Sequence, residues 1–143
     1  MTVRSILDAK GRDVVTIAPE RTLAEAAKVL TEKRIGAVVV MRDDGQIVGI
    51  LSERDIVCAV GKRGGAALEE RVASAMTTKV RSCREHDTID RIMEIMTKDR
   101  FRHVPVEEEG RLVGIISIGD VVKRRIEDVE REAEEIRTYI ATA

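Results

Sequence analysis

The amino-acid sequence predicts an α+β fold built from two copies of one unit, each ordered strand–helix–strand–strand–helix. Three features recur in register in the two halves of the 143-residue chain: a helical segment behind a threonine, a β-branched run, and an apolar run ending in Ser-x-x-Asp. A unit of roughly 60 residues buries too little surface to be stable alone. We therefore expect the two copies to pack face to face as one domain.

Each unit opens with a short extended segment and a helix. The extended segments are residues 14–17 and 80–83. Thr22 and Thr88 follow them at N-cap positions, and apolar residues then recur at i, i+3, i+4 and i+7. This spacing predicts one amphipathic helix in each copy, with its apolar face toward the core.

Two further strands and a second helix complete each unit. Residues 34–40 and 100–106 are β-branched runs of strand length, and each run leads to a turn that contains glycine. Beyond the turns, Gly, Ile, Ser, Asp and Val recur in register within residues 47–57 and 112–122. These segments predict a strand that passes directly into a helix.

The repeats divide the chain into residues 1–65 (first unit, with its lead-in and linker), 66–126 (second unit) and 127–143 (helical extension). Residues 61–65, Gly-Lys-Arg-Gly-Gly, predict a flexible basic linker. A phosphate cradle is the alternative, but the Walker pattern GxxxxGK[ST] is missing there.

The last helical pattern runs from Asp120 to the end of the chain. Its apolar residues alternate at spacings of four and three on a helix otherwise rich in Glu and Arg, which is typical of a face that meets a partner. We expect a homodimer held partly by this stripe: Val122, Ile126, Val129, Ala133, Ile136 and Ile140.

Composition excludes several classes of function. Lys plus Arg (25) and Asp plus Glu (26) nearly cancel, so no net field favours nucleic acid or an anionic membrane. The chain has one Tyr, one Phe and no Trp, too few for base stacking. Its two cysteines and two histidines form no zinc or redox motif, and no segment has the pattern of a signal peptide or membrane span. We expect a cytoplasmic protein with no nucleic-acid or membrane partner and no metal in its fold.

At residues 52–55 (Ser-Glu-Arg-Asp) and 117–120 (Ser-Ile-Gly-Asp), each preceded by Gly-Ile-(Leu/Ile), the sequence resembles the CBS-domain family. The Arg-His-Val-Pro-Val strand at residues 102–106 is similar too, and the likeness covers about residues 14–126. The resemblance implies a CBS pair (Bateman module), in which two sheets pack about a pseudo-two-fold axis and leave two clefts. Such clefts commonly bind adenosine-containing ligands, and the family is regulatory rather than catalytic.

The ligand that the resemblance implies is first AMP, with ATP, ADP, NAD(H) and S-adenosylmethionine as alternatives. Its adenine would lie between apolar strand residues and be read by backbone groups. By resemblance those residues are Thr16, Ile17, Ala37 and Val38 in the first copy, and Ser82, Cys83, His103 and Val104 in the second.

The two aspartates carry the ribose hypothesis. Asp55 and Asp120 fall where a strand meets a helix N-terminus, and a carboxylate there can accept hydrogen bonds from both ribose hydroxyls. Ser52 and Ser117 supply a hydroxyl three residues earlier. The alternative is that each Ser-x-x-Asp is a capping box that satisfies free amides of its own helix.

The phosphates would lie against basic side chains near the helix N-termini. The candidates are Arg54, Arg102, His103, Lys123 and Arg124, each of which could instead be an ordinary solvated or packed residue. More of these cations belong to the second copy, so we expect its cleft to be the more cationic one.

We find no nucleophile–base pair, metal set or facing carboxylates, so we expect no enzyme. The expected function is a sensor of adenosine-containing ligands that regulates a target protein in trans. The alternative is an adapter with empty clefts that assembles through its helices.

Overall fold

The computed structural model describes residues 1–142. The predicted α+β class is confirmed, and so is the order of elements in the two copies except for the opening strand of the second. The elements are α1 Val3–Lys10, β1 Thr16–Ile17, α2 Leu23–Lys33, β2 Ala37–Met41, β3 Ile47–Ser52, α3 Glu53–Arg63, α4 Val72–Ala75, α5 Ile89–Asp99, β4 His103–Glu108, β5 Arg111–Ser117 and α6 Ile118–Thr142.

Each unit contains a small sheet with helices packed on it. In the first unit β1 runs parallel to β2, and β2 runs antiparallel to β3 with Val39 opposite Ile50. In the second unit β4 and β5 form an antiparallel pair with Pro105 opposite Ile115. Both hairpins carry a bulge at the equivalent point, near the end of their first strand, so the repeat extends to backbone detail.

The opening strand predicted for the second unit at residues 80–83 is wrong. Within residues 1–142 this segment makes a single parallel bridge to β4, at Cys83. In the first unit the amide of Val39 donates to the carbonyl of Val15 at 3.2 Å. The equivalent residue of the second unit is Pro105, which has no amide hydrogen, so the ladder cannot extend.

The two lead-in helices are exchanged between the units. Leu7 of α1 is buried in the core of the second unit, and Val72 of α4 is buried in the core of the first. The packing is close, because a Cβ built on Gly114 would lie 2.8 Å from Leu7 Cδ2, and one on Gly49 would lie 2.8 Å from Met76 Sδ. Each core therefore depends on a segment of the other half, which ties both copies into one domain.

The predicted flexible linker is helical. Residues 61–63 close α3, and residues 64–69 form a 3-10 helix that buries Ala67 in the first core. At the other end, α6 is continuous through the predicted boundary at residue 126. No helix within residues 1–142 is both long enough and apolar enough to cross a membrane.

Candidate functional site

A cavity of about 510 Å³ lies between the two units, and we call it the central cleft. Its volume is in the range of small-ligand sites, about 300–1,000 Å³. Its walls come from the starts of α3, β4 and α6 and from the segment that follows α4. The lining residues are Gly36, Ile50, Ser52, Glu53, Arg54, Asp55, Cys58, Thr77, Lys79, Val80, Arg81, Arg100, Phe101, Arg102, His103, Ser117, Ile118 and Gly119.

Asp55 takes part in a capping box and still faces the central cleft. The amide of Ser52 donates to Asp55 Oδ2 at 2.9 Å, and the amide of Asp55 donates to Ser52 Oγ at 3.3 Å. Among residues 1–142, Asp55 Oδ1 accepts only a long hydrogen bond, 3.5 Å from Thr77 Oγ1. The cap therefore uses one carboxylate oxygen and leaves the other able to accept a hydrogen bond from a ligand.

Asp120 has the same cap but a different neighbour. The amide of Ser117 donates to Asp120 Oδ2 at 2.9 Å, and Lys10 of the exchanged helix α1 donates to the same oxygen at 2.6 Å. Burial raises the pKa of Asp120, but the hydrogen bonds from Lys10 and Ser117 outweigh burial and hold that pKa below its usual range. Asp120 is thus already paired with a cation.

The space beside Asp120 is small. It measures about 120 Å³ and is also lined by Lys10, Lys123 and Arg124. Lys10 Nζ donates to the carbonyl of Ile115 at 2.8 Å, whereas a backbone amide occupies the equivalent carbonyl in the first unit. This volume is below the range of small-ligand sites, about 300–1,000 Å³, and Lys10 already occupies the carboxylate that a ribose would need.

The central cleft is strongly basic. Arg81 forms an ion pair at 3.0 Å with Asp99, a residue that does not line the cleft. The other Arg and Lys side chains of the lining form no ion pair within residues 1–142. The basic residues are Arg54, Lys79, Arg81, Arg100, Arg102 and His103, and the acidic ones are Glu53 and Asp55.

Arg102 and His103 were expected in the cleft of the second copy, but both line the central cleft with Asp55. The starts of β2 and β4 meet across the two units: a Cβ built on Gly36 would lie 3.7 Å from His103 Nε2. Burial lowers the pKa of His103, so its imidazole tends toward the neutral form. The charge of Asp120 also acts on His103, in the opposite direction, and raises its pKa, so this side chain is close to both aspartates. The second copy therefore supplies cations to the first copy's aspartate.

Lys79, Arg81 and Arg100 were missed from the sequence. Lys79 and Arg81 follow α4, the second lead-in helix, and only the exchange of the lead-in helices brings that segment over the first unit. Arg100 is the C-cap of α5 in the left-handed conformation, with φ of 58°. The sequence signal was the cluster of basic residues on both sides of α5.

Most of the predicted adenine residues lie outside the central cleft. Of these residues, only His103 lines it. Thr16 and Ser82 are exposed elsewhere, whereas Ile17, Ala37, Val38, Cys83 and Val104 are buried in the two cores. Burial raises the pKa of the Cys83 thiol to about 12. The apolar residues that do line the cleft include Ile50, Val80 and Phe101.

Comparison with known proteins identifies a repeated family pattern. The model of the CBS domain family matches residues 3–62 and 72–127. The solved structure of the CBS-domain protein ATU1752 from Agrobacterium tumefaciens is 56% identical with a TM-score of 0.85, covering 87% of this chain and 99% of that one.

Two further solved structures contain adenosine compounds. The CBS pair of protein MJ0100, in complex with 5-methylthioadenosine and S-adenosyl-L-methionine, is 25% identical with a TM-score of 0.80 and covers 90% of this chain and 98% of its own. PAE2072 from Pyrobaculum aerophilum, complexed with AMP, is 28% identical with a TM-score of 0.75, covering 84% and 89%. Among curated relatives, this chain spans 66% and 71% of the length of the first two.

Proposed function

The chain belongs to the CBS domain family, and we propose that it is a regulatory module that binds an adenosine-containing ligand in the central cleft. The observation that carries the proposal is Asp55, which lines a ligand-sized cavity while its Oδ2 holds the helix cap and its Oδ1 accepts only a long hydrogen bond from residues 1–142. The complexes of the two CBS neighbours support the same ligand class.

The proposed binding mode starts from the ribose. Asp55 accepts hydrogen bonds from the ribose hydroxyls, and Ser52 remains beside it as a second polar contact. The adenine packs on apolar surface from Ile50 and Val80, and the phosphate lies toward Arg54 and the other cations of the cleft. A second ligand at Asp120 stays a prediction that requires the displacement of Lys10.

The regulatory part of the proposal is that ligand binding changes contacts with a target protein. The central cleft joins residues of both units, so a bound ligand links them and favours one relative arrangement. No enzyme activity is part of the proposal. An adapter role without ligand is the second candidate, and the exposed apolar face of α6 favours it.

We also propose that this face pairs with a second copy of the chain. Val122, Ile126, Val129, Ile136 and Ile140 are between 50% and 68% exposed in the single chain. An apolar stripe of this length gains stability when water is excluded from it. The same stripe would dock an adapter's partner, so the oligomeric state distinguishes the two uses.

Isothermal titration calorimetry of the full chain with AMP, ADP, ATP, NADH and S-adenosylmethionine tests the main proposal. We expect saturable binding in the micromolar range, about −7 to −9 kcal/mol. Thermal unfolding should show a matching rise in melting temperature, because the ligand binds the native state. Absence of heat and of stabilisation at millimolar concentrations of all five compounds would leave the adapter role.

A further inference from the structure

The positive charge of the central cleft exceeds what its own carboxylates can neutralise. Arg54, Lys79, Arg100 and Arg102 line it without an ion pair anywhere in residues 1–142, while the lining offers only two carboxylates. One of these, Asp55, already accepts hydrogen bonds from its own cap. Like charges on the walls of a concave site concentrate a positive potential, which favours an anion of matching charge.

These cations come from both units. Arg54 lies one residue before Asp55, whereas Lys79 follows α4, and Arg100 and Arg102 lead into β4 of the second unit. The start of α6, residues 117–119, lines the same cleft and adds the positive end of a helix to it. The anionic part of a ligand held at Asp55 therefore has favourable partners across the boundary between the units.

We infer that the ligand of the central cleft is an adenosine that carries two or more linked phosphates, with its ribose on Asp55 of the first unit and its phosphate chain extending to Arg102 of the second. This inference rests on the proposed function and narrows its ligand class. AMP satisfies the ribose end and one cation group only. S-adenosylmethionine brings a positive sulfonium into a site that is already positive, so it is the least suited of the expected ligands.

The cavity is consistent with the longer ligand. Its volume of about 510 Å³ lies within the range of small-molecule sites, about 300–1,000 Å³. Gly36 contributes to that space, since a side chain there would contact Glu53 of its own unit and His103 across the boundary. A linked phosphate chain would fill this region and connect the units.

Calorimetry of the full chain with adenosine, AMP, ADP, ATP, NADH and S-adenosylmethionine, without divalent metal ions, tests the inference. We expect ADP to bind at least about tenfold more tightly than AMP, because a second phosphate gains charge-assisted hydrogen bonds. Tighter binding of NADH than of ADP would identify the ligand as a dinucleotide. Tighter binding of ADP than of NADH would identify it as a free nucleotide.

Equal affinity for AMP, ADP and ATP, or S-adenosylmethionine binding more tightly than ADP, would overturn the inference and leave the proposed function standing. Absence of binding by every compound would remove both. The two failures are thus distinguishable in one series of titrations.

Two variants test the placement of the phosphates. Arg102→Ala and Lys79→Ala remove exposed side chains, so each should fold, and melting temperature verifies this. Each variant should lower the affinity for ADP more than the affinity for AMP. The ratio of the ADP affinity to the AMP affinity should therefore fall toward one. Lys28→Ala, which removes an exposed cation outside the cleft, is the matched control and should leave the ratio unchanged. An unchanged ratio in both cleft variants would contradict the assignment.

Discussion

Replacing Asp55 by alanine separates its two roles, ribose ligand and helix cap. The variant removes the acceptor for the Ser52 amide, 2.9 Å away, and a missing cap of this kind costs about 1 kcal/mol of folding stability. It also removes the charged acceptor for the ribose, which should cost about 1.5–3 kcal/mol of binding. The corresponding rise in Kd is about 10- to 150-fold.

The assay is calorimetry with ADP together with thermal unfolding of the same samples. Asp55→Asn is the refining variant, because its amide oxygen can still accept from Ser52 but carries no charge. We expect this variant to retain most of the stability and to lose most of the affinity. An Asp55→Ala protein with wild-type Kd and about 1 kcal/mol less stability would refute the ribose role and leave only the cap.

Asp120→Ala is the matched control from the second unit. It removes the same cap and also the partner of Lys10, and the two side chains are 24% and 33% exposed. A partly exposed ion pair adds at most about 1 kcal/mol, so the total loss should be about 2 kcal/mol. Affinity in the central cleft should not change. A stoichiometry that falls from two to one would show that ribose binds at Asp120 as well, displacing Lys10.

Three further predictions concern packing, pH and assembly. Gly49→Ala should lower the free energy of unfolding by about 1–3 kcal/mol, because the new Cβ would lie 2.8 Å from a backbone carbonyl oxygen. Gly61→Ala, on the open side of α3, should be neutral or stabilising. Equal denaturation midpoints for the two variants would contradict this prediction. Burial lowers the pKa of His103, so between its folded and unfolded pKa values the imidazole is protonated in the unfolded chain and neutral in the folded one. Folding stability should therefore fall as the pH drops below 6.5. His103→Asn should weaken this pH dependence of the melting temperature. Ile136→Glu should convert the predicted dimer to a monomer, as measured by light scattering. The control Glu135→Gln should leave the dimer intact. A parent protein that is already monomeric would exclude the predicted dimer.

The helix starts could be predicted because their physics is local. A threonine or serine followed three residues later by a free amide makes a cap whatever the rest of the chain does. The caps at Thr22 and Thr88 form as predicted, and Ser52 and Ser117 also cap their helices, which the sequence left open beside the ribose role. The predicted opening strand of the second unit failed because a single proline in the neighbouring strand removed the donor that a parallel ladder needs.

The residues of the cleft could be predicted only in part, for a different reason. Ser52, Arg54 and Asp55 belong to one local motif, and the structure keeps them together. Lys79 and Arg102 reach the same cleft through segments of the other half, and nothing in their local sequence indicates which aspartate they will face. Val38 and Val104 were assigned as adenine contacts by resemblance to the CBS-domain family, and the structure buries both side chains in the two cores.

The sequence by itself determined the repeat, the order of helices and strands apart from the opening strand of the second unit, and the helix starts at Thr22 and Thr88. The helix starts depend only on residues within a few positions of one another. Only the tertiary structure decided that the lead-in helices are exchanged, that Lys10 neutralises Asp120, and that cations of the second unit surround Asp55. These outcomes depend on contacts between residues far apart in the chain, such as Leu7 against Gly114. The two lead-ins are similar in pattern, so the choice between them is made by how side chains fit across the boundary between units.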